Sequence, residues 1–176
     1  TALFEARFKG LTKPSEGEIA SSIVADHVVR TFEHGITTKG EQYLVMEFLD
    51  GPVLNTMIKD QSPVLETKRL SLIRQMIRSV GEVHESGFLH RDICPRNFMS
   101  SKDVSQLKLI DFGLSLPATK QFMQPGNRTG TPNYMAPEIL RRRTTDHRVD
   151  IFALGVSIYQ LCAFHLPWRG HDSSGR

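Results

Sequence analysis

Asp92 is a carboxylate, Asn97 is an amide five residues later, and Asp111 is a second carboxylate that runs into Phe112-Gly113. All three offer hard oxygen donors, the type that Mg²⁺ and its accompanying phosphates favour. A set of this kind suits phosphoryl transfer, which asks a protein for positioning and charge neutralisation more than for covalent work.

Such groups act only if rigid elements hold them. Leu70, Ile73, Ile77, Val80 and His84 recur at three- and four-residue spacing and predict a long amphipathic helix. Ser62-Pro63 reads as its N-cap and first residue, and Gly87 as its C-terminal cap. Phe88-Leu89 and Phe98-Met99 predict brief strands on either side of the loop that carries Asp92 and Asn97. Leu107 to Ile110 reads as a buried strand leading into Asp111. Residues 114–135 are rich in Pro, Gly, Thr and Asn, a long loop of the kind usually kept for function. Ala136 to Arg142 starts a helix, and Asp150 to Phe164 is a strongly apolar one. Towards the N-terminus, Ile19, Ile23 and Val24 predict a helix over Glu16 to Ala25. Val28 to Phe32 and Gln42 to Phe48 read as two strands joined by a turn at Gly35 to Gly40. Asp50-Gly51-Pro52 ends the second strand, and Val53 to Lys59 predicts a short helix.

The 176 residues suit one domain with a sizeable core. The net charge of +3 is small, and Arg141-Arg142-Arg143 is too short for a nucleic-acid arm, so no nucleic-acid partner is expected. Two cysteines, Cys94 and Cys162, are too few for a disulfide framework and fit a reducing compartment. No signal peptide is visible, and the apolar stretch Ile151 to Phe164 is shorter than a membrane span. The expected location is cytoplasmic.

His90-Arg91-Asp92-Ile93-Cys94-Pro95-Arg96-Asn97, then Asp111-Phe112-Gly113, then Ala136-Pro137-Glu138, stand in the order and spacing of the protein-kinase signature set. One tripeptide alone is an ordinary turn; the ordered combination is specific. The chain therefore resembles the protein kinase family, in its bacterial-type serine/threonine form, over nearly its whole length. The resemblance implies an α+β, bilobal fold with a cleft between the lobes. Residues 1–49 would be a remnant of the small β-rich lobe and hinge. Residues 50–176 would be an incomplete, mainly helical lobe with catalytic loop, activation loop and following helix.

The resemblance further implies Mg²⁺- and ATP-dependent phosphorylation of protein serine and threonine hydroxyls. Asp92 would be the catalytic base, and Asn97 and Asp111 the metal ligands. Met46 would be the gatekeeper, with the Glu47 carbonyl and the Leu49 backbone reading adenine. Glu16 (or Glu18) falls where the family keeps the helix glutamate that pairs with the ATP-binding lysine. Gly130 to Glu138 resembles the segment that receives a protein substrate. Asp150 looks like the helix aspartate that anchors the catalytic loop. Thr119 and Thr129 are candidate phosphate acceptors, and Asn127 stands where many relatives carry a phosphorylated threonine.

The sequence departs from the pattern in two places. Cys94 occupies the place of a lysine that contacts the transferred phosphate, and Arg96 is the proposed substitute. Near Mg²⁺ and arginine the Cys94 thiol would be either a reactive group or a packed, inert one. The second departure is at the ends. No glycine-rich loop or Val-Ala-Ile-Lys-like strand precedes Glu16, and Thr1-Ala2-Leu3-Phe4 stands where that lysine is expected. Lys9 and Lys13 are nearer candidates. The expectation is a kinase truncated at both ends; the alternative is a pseudokinase that binds nucleotide or a partner without catalysis.

Overall fold

A computed structural model of the chain describes residues 11–126 and 128–168. Helix α1 (Glu16–Ser22) starts on a capping box: Ser15 Oγ accepts from the Glu18 N–H at 3.2 Å, and Glu18 Oε2 accepts from the Ser15 N–H at 2.7 Å. These bonds satisfy donors that a helix start leaves free. The helix stops at Ser22, short of the expected Ala25, because Ile23 turns to extended backbone and buries its side chain.

The next segment joins distant parts of the chain. Val28 bridges Leu109 in parallel, the Val29 N–H donates to the Leu109 carbonyl at 2.9 Å, and the Leu109 N–H donates to the His27 carbonyl at 2.8 Å. Val28 and Val29 are thus spent on a strand far along the sequence, and the hairpin starts later than the strand expected over Val28 to Phe32. Strand β1 (Thr31–Ile36) pairs antiparallel with β2 (Gln42–Met46), from Thr31↔Met46 to Ile36↔Gln42. Gly40 closes the turn at φ 80°, a left-handed conformation that glycine adopts without steric cost.

Helix α2 (Leu54–Lys59) and the long helix α3 (Val64–Glu85) follow. Ser62 supplies no side-chain cap, and α3 begins just after Pro63. The buried face of α3 is Leu65, Leu72, Met76, Ser79, Val80 and Val83. Leu70 and Ile77, placed on the core stripe by spacing, are 60% and 51% exposed. Both sets obey the helical period. Periodicity gives a stripe's width, but packing on the strand Leu107–Leu109 and on the helix Arg148–Ala163 decides which stripe is covered.

Beyond α3 come β3 (Phe88–Leu89), a 3₁₀ turn (Pro95–Asn97), β4 (Phe98–Ser100), β5 (Leu107–Leu109) and β6 (Leu116–Pro117). β3 pairs with β6, and β4 with β5, both antiparallel. A second 3₁₀ turn (Pro132–Tyr134) leads to α4 (Pro137–Leu140) and α5 (Arg148–Ala163). α5 is apolar nearly all round; one face packs in the core, while Ile151, Tyr159 and Cys162 on the other are exposed. Among the described residues no helix is long and apolar enough to cross a membrane.

One cluster of buried side chains joins Ile19, Ile23, Val28 and Val29 to Leu54, Leu72, Leu107, Leu109, Phe112 and Leu161. The architecture is the expected mixture of helices and small antiparallel sheets.

Candidate active site

Asp92 sits between two short strands, on a loop whose shape is imposed from below. Arg91 has φ 68° and Asp111 has φ 67°, conformations that cost a non-glycine residue about 1–3 kcal/mol each unless their surroundings hold them. Asp150, in the first turn of α5, supplies the hold on the first loop. Its carboxylate, 1% exposed, accepts the His90 N–H and the Arg91 N–H at 2.8 Å each. His84 Nε2 adds a third contact at 2.9 Å. The helix N-terminus favours the negative charge there.

His90 lies under the loop. Its Nε2 meets the Ile110 carbonyl at 3.2 Å, its Nδ1 meets the Asp92 N–H at 3.3 Å, and its ring packs edge-on to Phe112. These partners match a neutral imidazole that donates from Nε2 and accepts at Nδ1. Burial pushes its pKa below the ordinary value, against opposing pulls from Asp150, the Ile110 carbonyl, Asp92 and Asp111.

The Asp92 carboxylate is held from two sides. Oδ1 accepts the Thr131 N–H at 2.8 Å and the Thr131 hydroxyl at 2.6 Å. Oδ2 accepts Asn97 Nδ2 at 3.1 Å, and the same amide donates to the Asp92 carbonyl at 2.8 Å. With Nδ2 committed, the Asn97 side chain has its amide oxygen left for a cation. Thr131 follows Gly130, which has φ 123° and on which a Cβ would lie only 2.8 Å from the Arg91 carbonyl oxygen. The Thr131 contact was not read from the sequence; a threonine beside a glycine in a long polar loop was its cue.

Arg96 is exposed, and its Nη2 donates to Thr131 Oγ1 at 2.9 Å. A guanidinium therefore stands one hydroxyl away from Asp92. Cys94 is fully buried, with Thr131 Oγ1 3.8 Å from its sulfur. Burial, and then the charge of Asp92, push its thiol pKa up. Of the two readings of this thiol, the packed, inert one fits, because desolvation outweighs the nearby arginine.

Asp111 leaves β5 through Ile110 and is exposed, with its Oδ1 accepting the Gly113 N–H at 3.2 Å. Phe112 is buried beside it. Glu16 reaches the same place: a Cβ built on Gly113 would lie 3.3 Å from both Asp111 Oδ1 and Glu16 Oε2. Burial raises the Glu16 pKa, and the Asp111 charge raises it further, against a hydrogen bond from the Phe112 backbone and the nearby Lys13. Lys13 Nζ donates to the Gly113 carbonyl at 3.2 Å. Lys9, the other candidate lysine, lies outside the described residues, as do Thr1 to Phe4 and Asn127.

Met46 ends β2 and is 43% exposed, while Leu49 packs against the core. Glu47 donates its N–H to the Arg30 carbonyl at 2.9 Å. Its carboxylate is engaged on the strand side, which sequence spacing did not reveal.

The donor set fits a nucleotide-borne cation. Among the described residues no cluster of three or more His, Cys, Asp or Glu side chains could hold a metal unaided. Mg²⁺ ordinarily needs one or two carboxylates and takes the rest from phosphate and water. The exposed carboxylate of Asp111 and the amide oxygen of Asn97 are donors of the kind that suits that division.

The chain is similar in sequence to several serine/threonine-protein kinases. The serine/threonine-protein kinase pkn3 of Myxococcus xanthus is 28% identical over 168 residues, covering 91% of this chain. The probable serine/threonine-protein kinase 2 of Plasmodium falciparum is 30% identical over 90% of the chain. PknE of Mycobacterium tuberculosis is 31% identical, again over 90%. The chain spans 31%, 31% and 28% of the lengths of these three relatives. The model of the protein kinase domain matches residues 7–176, and the chain belongs to the protein kinase family.

Proposed function

We propose that the protein carrying this chain transfers the terminal phosphate of ATP to serine and threonine hydroxyls of proteins. The reading rests above all on the Asp92 carboxylate. A loop anchored on buried Asp150 presents it, and Asn97 and Thr131 fix it from two sides. Asp92 takes the proton of the attacking hydroxyl and aligns its oxygen with the phosphorus. Asn97 and Asp111 would hold Mg²⁺, which when bound neutralises charge on the phosphates. Arg96 contacts the transferred phosphate in place of the lysine that Cys94 displaces. Met46, the Glu47 carbonyl and the Leu49 backbone bind the base, and Glu16 pairs with the ATP-binding lysine. In this reading residues 1–49 are the remnant of the smaller lobe with the hinge, and residues 50–176 belong to the larger one. ATP as substrate and two free cysteines suit a cytoplasmic setting.

A second reading, nucleotide or partner binding without transfer, draws on Cys94: a buried thiol stands where a phosphate-binding ammonium is expected. Phosphate transfer from labelled ATP to a panel of protein substrates separates the two. Transfer by the native protein should fall by about 10²–10⁴-fold in Asp92→Asn, the span of a lost general base. Arg96→Ala should lower turnover in the same assay. Transfer that survives Asp92→Asn, or nucleotide binding with no transfer at all, sinks the kinase reading.

A further inference from the structure

Glu47 is the residue at which the hairpin becomes the connection to α2. Its N–H donates to the Arg30 carbonyl at 2.9 Å, and the Arg30 N–H returns to Glu47 Oε1 at 2.7 Å. The same oxygen receives Lys108 Nζ at 2.5 Å. Neither partner is a free surface charge: the Lys108 side chain is 13% exposed and that of Glu47 is 23%.

Lys108 belongs to a different unit. It is the middle residue of β5, flanked by buried Leu107 and Leu109, so strand alternation turns its side chain to the opposite face. Three residues later the same strand has become Asp111. Leu109, next to Lys108, carries the bonds to His27 and Val29. His27 in turn gives its N–H to Glu82 Oε2 of α3 at 2.9 Å. The stretch 27–30 is therefore fixed to α3 and β5, and Glu47 is fixed both to that stretch and to Lys108.

Packing alone does not require this arrangement, because an apolar pair of similar volume could fill a half-buried site equally well. What a charged pair adds is direction: one ammonium, one carboxylate oxygen and one backbone N–H define where residue 47 must lie.

We propose that Lys108 is a positioning residue for nucleotide. Acting through Glu47, it holds the base-reading backbone at residues 47–49 in register with Asp111. The inference rests on the kinase reading, since it presumes that base and phosphates bridge these two places. It predicts that the pair governs nucleotide affinity more than turnover.

The test is titration of the native-length protein with a fluorescent ADP analogue and Mg²⁺, beside steady-state kinetics in ATP. Lys108→Met should weaken the nucleotide by about tenfold and raise KM for ATP in parallel, with kcat changed less than about twofold. Lys108→Arg, which keeps the charge, should restore native affinity. In a cycle with Glu47→Gln the two losses should overlap rather than add. Should Lys108→Met lose its thermal transition, Lys108→Met with Glu47→Met removes both charges at once and should fold while binding nucleotide weakly. Native affinity in any folded variant lacking the pair overturns the inference and leaves the kinase reading intact. Failure of the native protein itself to bind nucleotide overturns both.

Discussion

At the scale of single residues, Cys94 shows how burial decides between two readings of one thiol. An arginine two residues away and a proposed metal ligand three residues away argue for a low thiol pKa. Complete burial argues the opposite, and here it dominates. Cys94 should therefore resist iodoacetamide in the native protein while exposed Cys162 is labelled; peptide mass spectrometry before and after unfolding reads the difference. Labelling of Cys94 at a rate near that of Cys162 would overturn this reading. The residues proposed for chemistry were largely legible: Asp92, Asn97 and Asp111 carry their meaning in type and spacing. Thr131 was not, because a hydrogen bond across 39 residues leaves no local trace. Lys13 was legible only as a candidate lysine; its contact with Gly113, across 100 residues, was not.

At the scale of elements, the loop that carries Asp92 and Asn97 depends on a helix that contains none of its residues. Asp150 in α5 satisfies two buried backbone N–H groups and one histidine, and those bonds hold Arg91 in its left-handed conformation. Asp150→Ala leaves these buried donors without their acceptor. The cost should be about 3–5 kcal/mol, the penalty for breaking a buried charged network. Thermal unfolding should show a large drop in Tm, and Asp150→Asn, which keeps one acceptor oxygen, should fall between. An Asp150→Ala protein with native Tm would show that the loop is held otherwise. Most elements were legible from spacing and breakers, and the errors have a common cause. Val28 and Val29 were assigned to the hairpin but serve Leu109 instead; Leu70 and Ile77 were assigned to the core but face solvent. In each case a partner distant in sequence made the choice, and local pattern cannot contain that information.

At the scale of the whole molecule, the core runs without a break across the boundary expected at residues 49 and 50. Stability is then a shared property, and a titration at its centre is felt throughout. His90 is such a centre. Its folded pKa lies below the ordinary value of about 6.5 that the unfolded chain retains. Below that pH the unfolded chain binds a proton that the folded chain refuses, so this contribution is complete above about pH 6.5 and is lost as pH falls. The slope can approach about 1.4 kcal/mol per pH unit. Glu16 works in the opposite sense, because burial and Asp111 raise its pKa and the folded state gains a proton as pH drops towards 4.5. Comparison with His90→Asn isolates the histidine: the Tm of the native protein should fall more steeply between pH 7 and 5.5 than that of the variant. Parallel curves would remove His90 from the account. The Asp150 contact also has a consequence in time. The His90 N–H waits for an acceptor 60 residues further along. During synthesis at about 5–20 residues per second, that wait lasts about 3–12 s. For that interval the nascent chain already contains Asp92 and Asn97 but lacks the group that shapes their loop, so every newly made copy passes through a period in which its chemistry is encoded but not yet assembled.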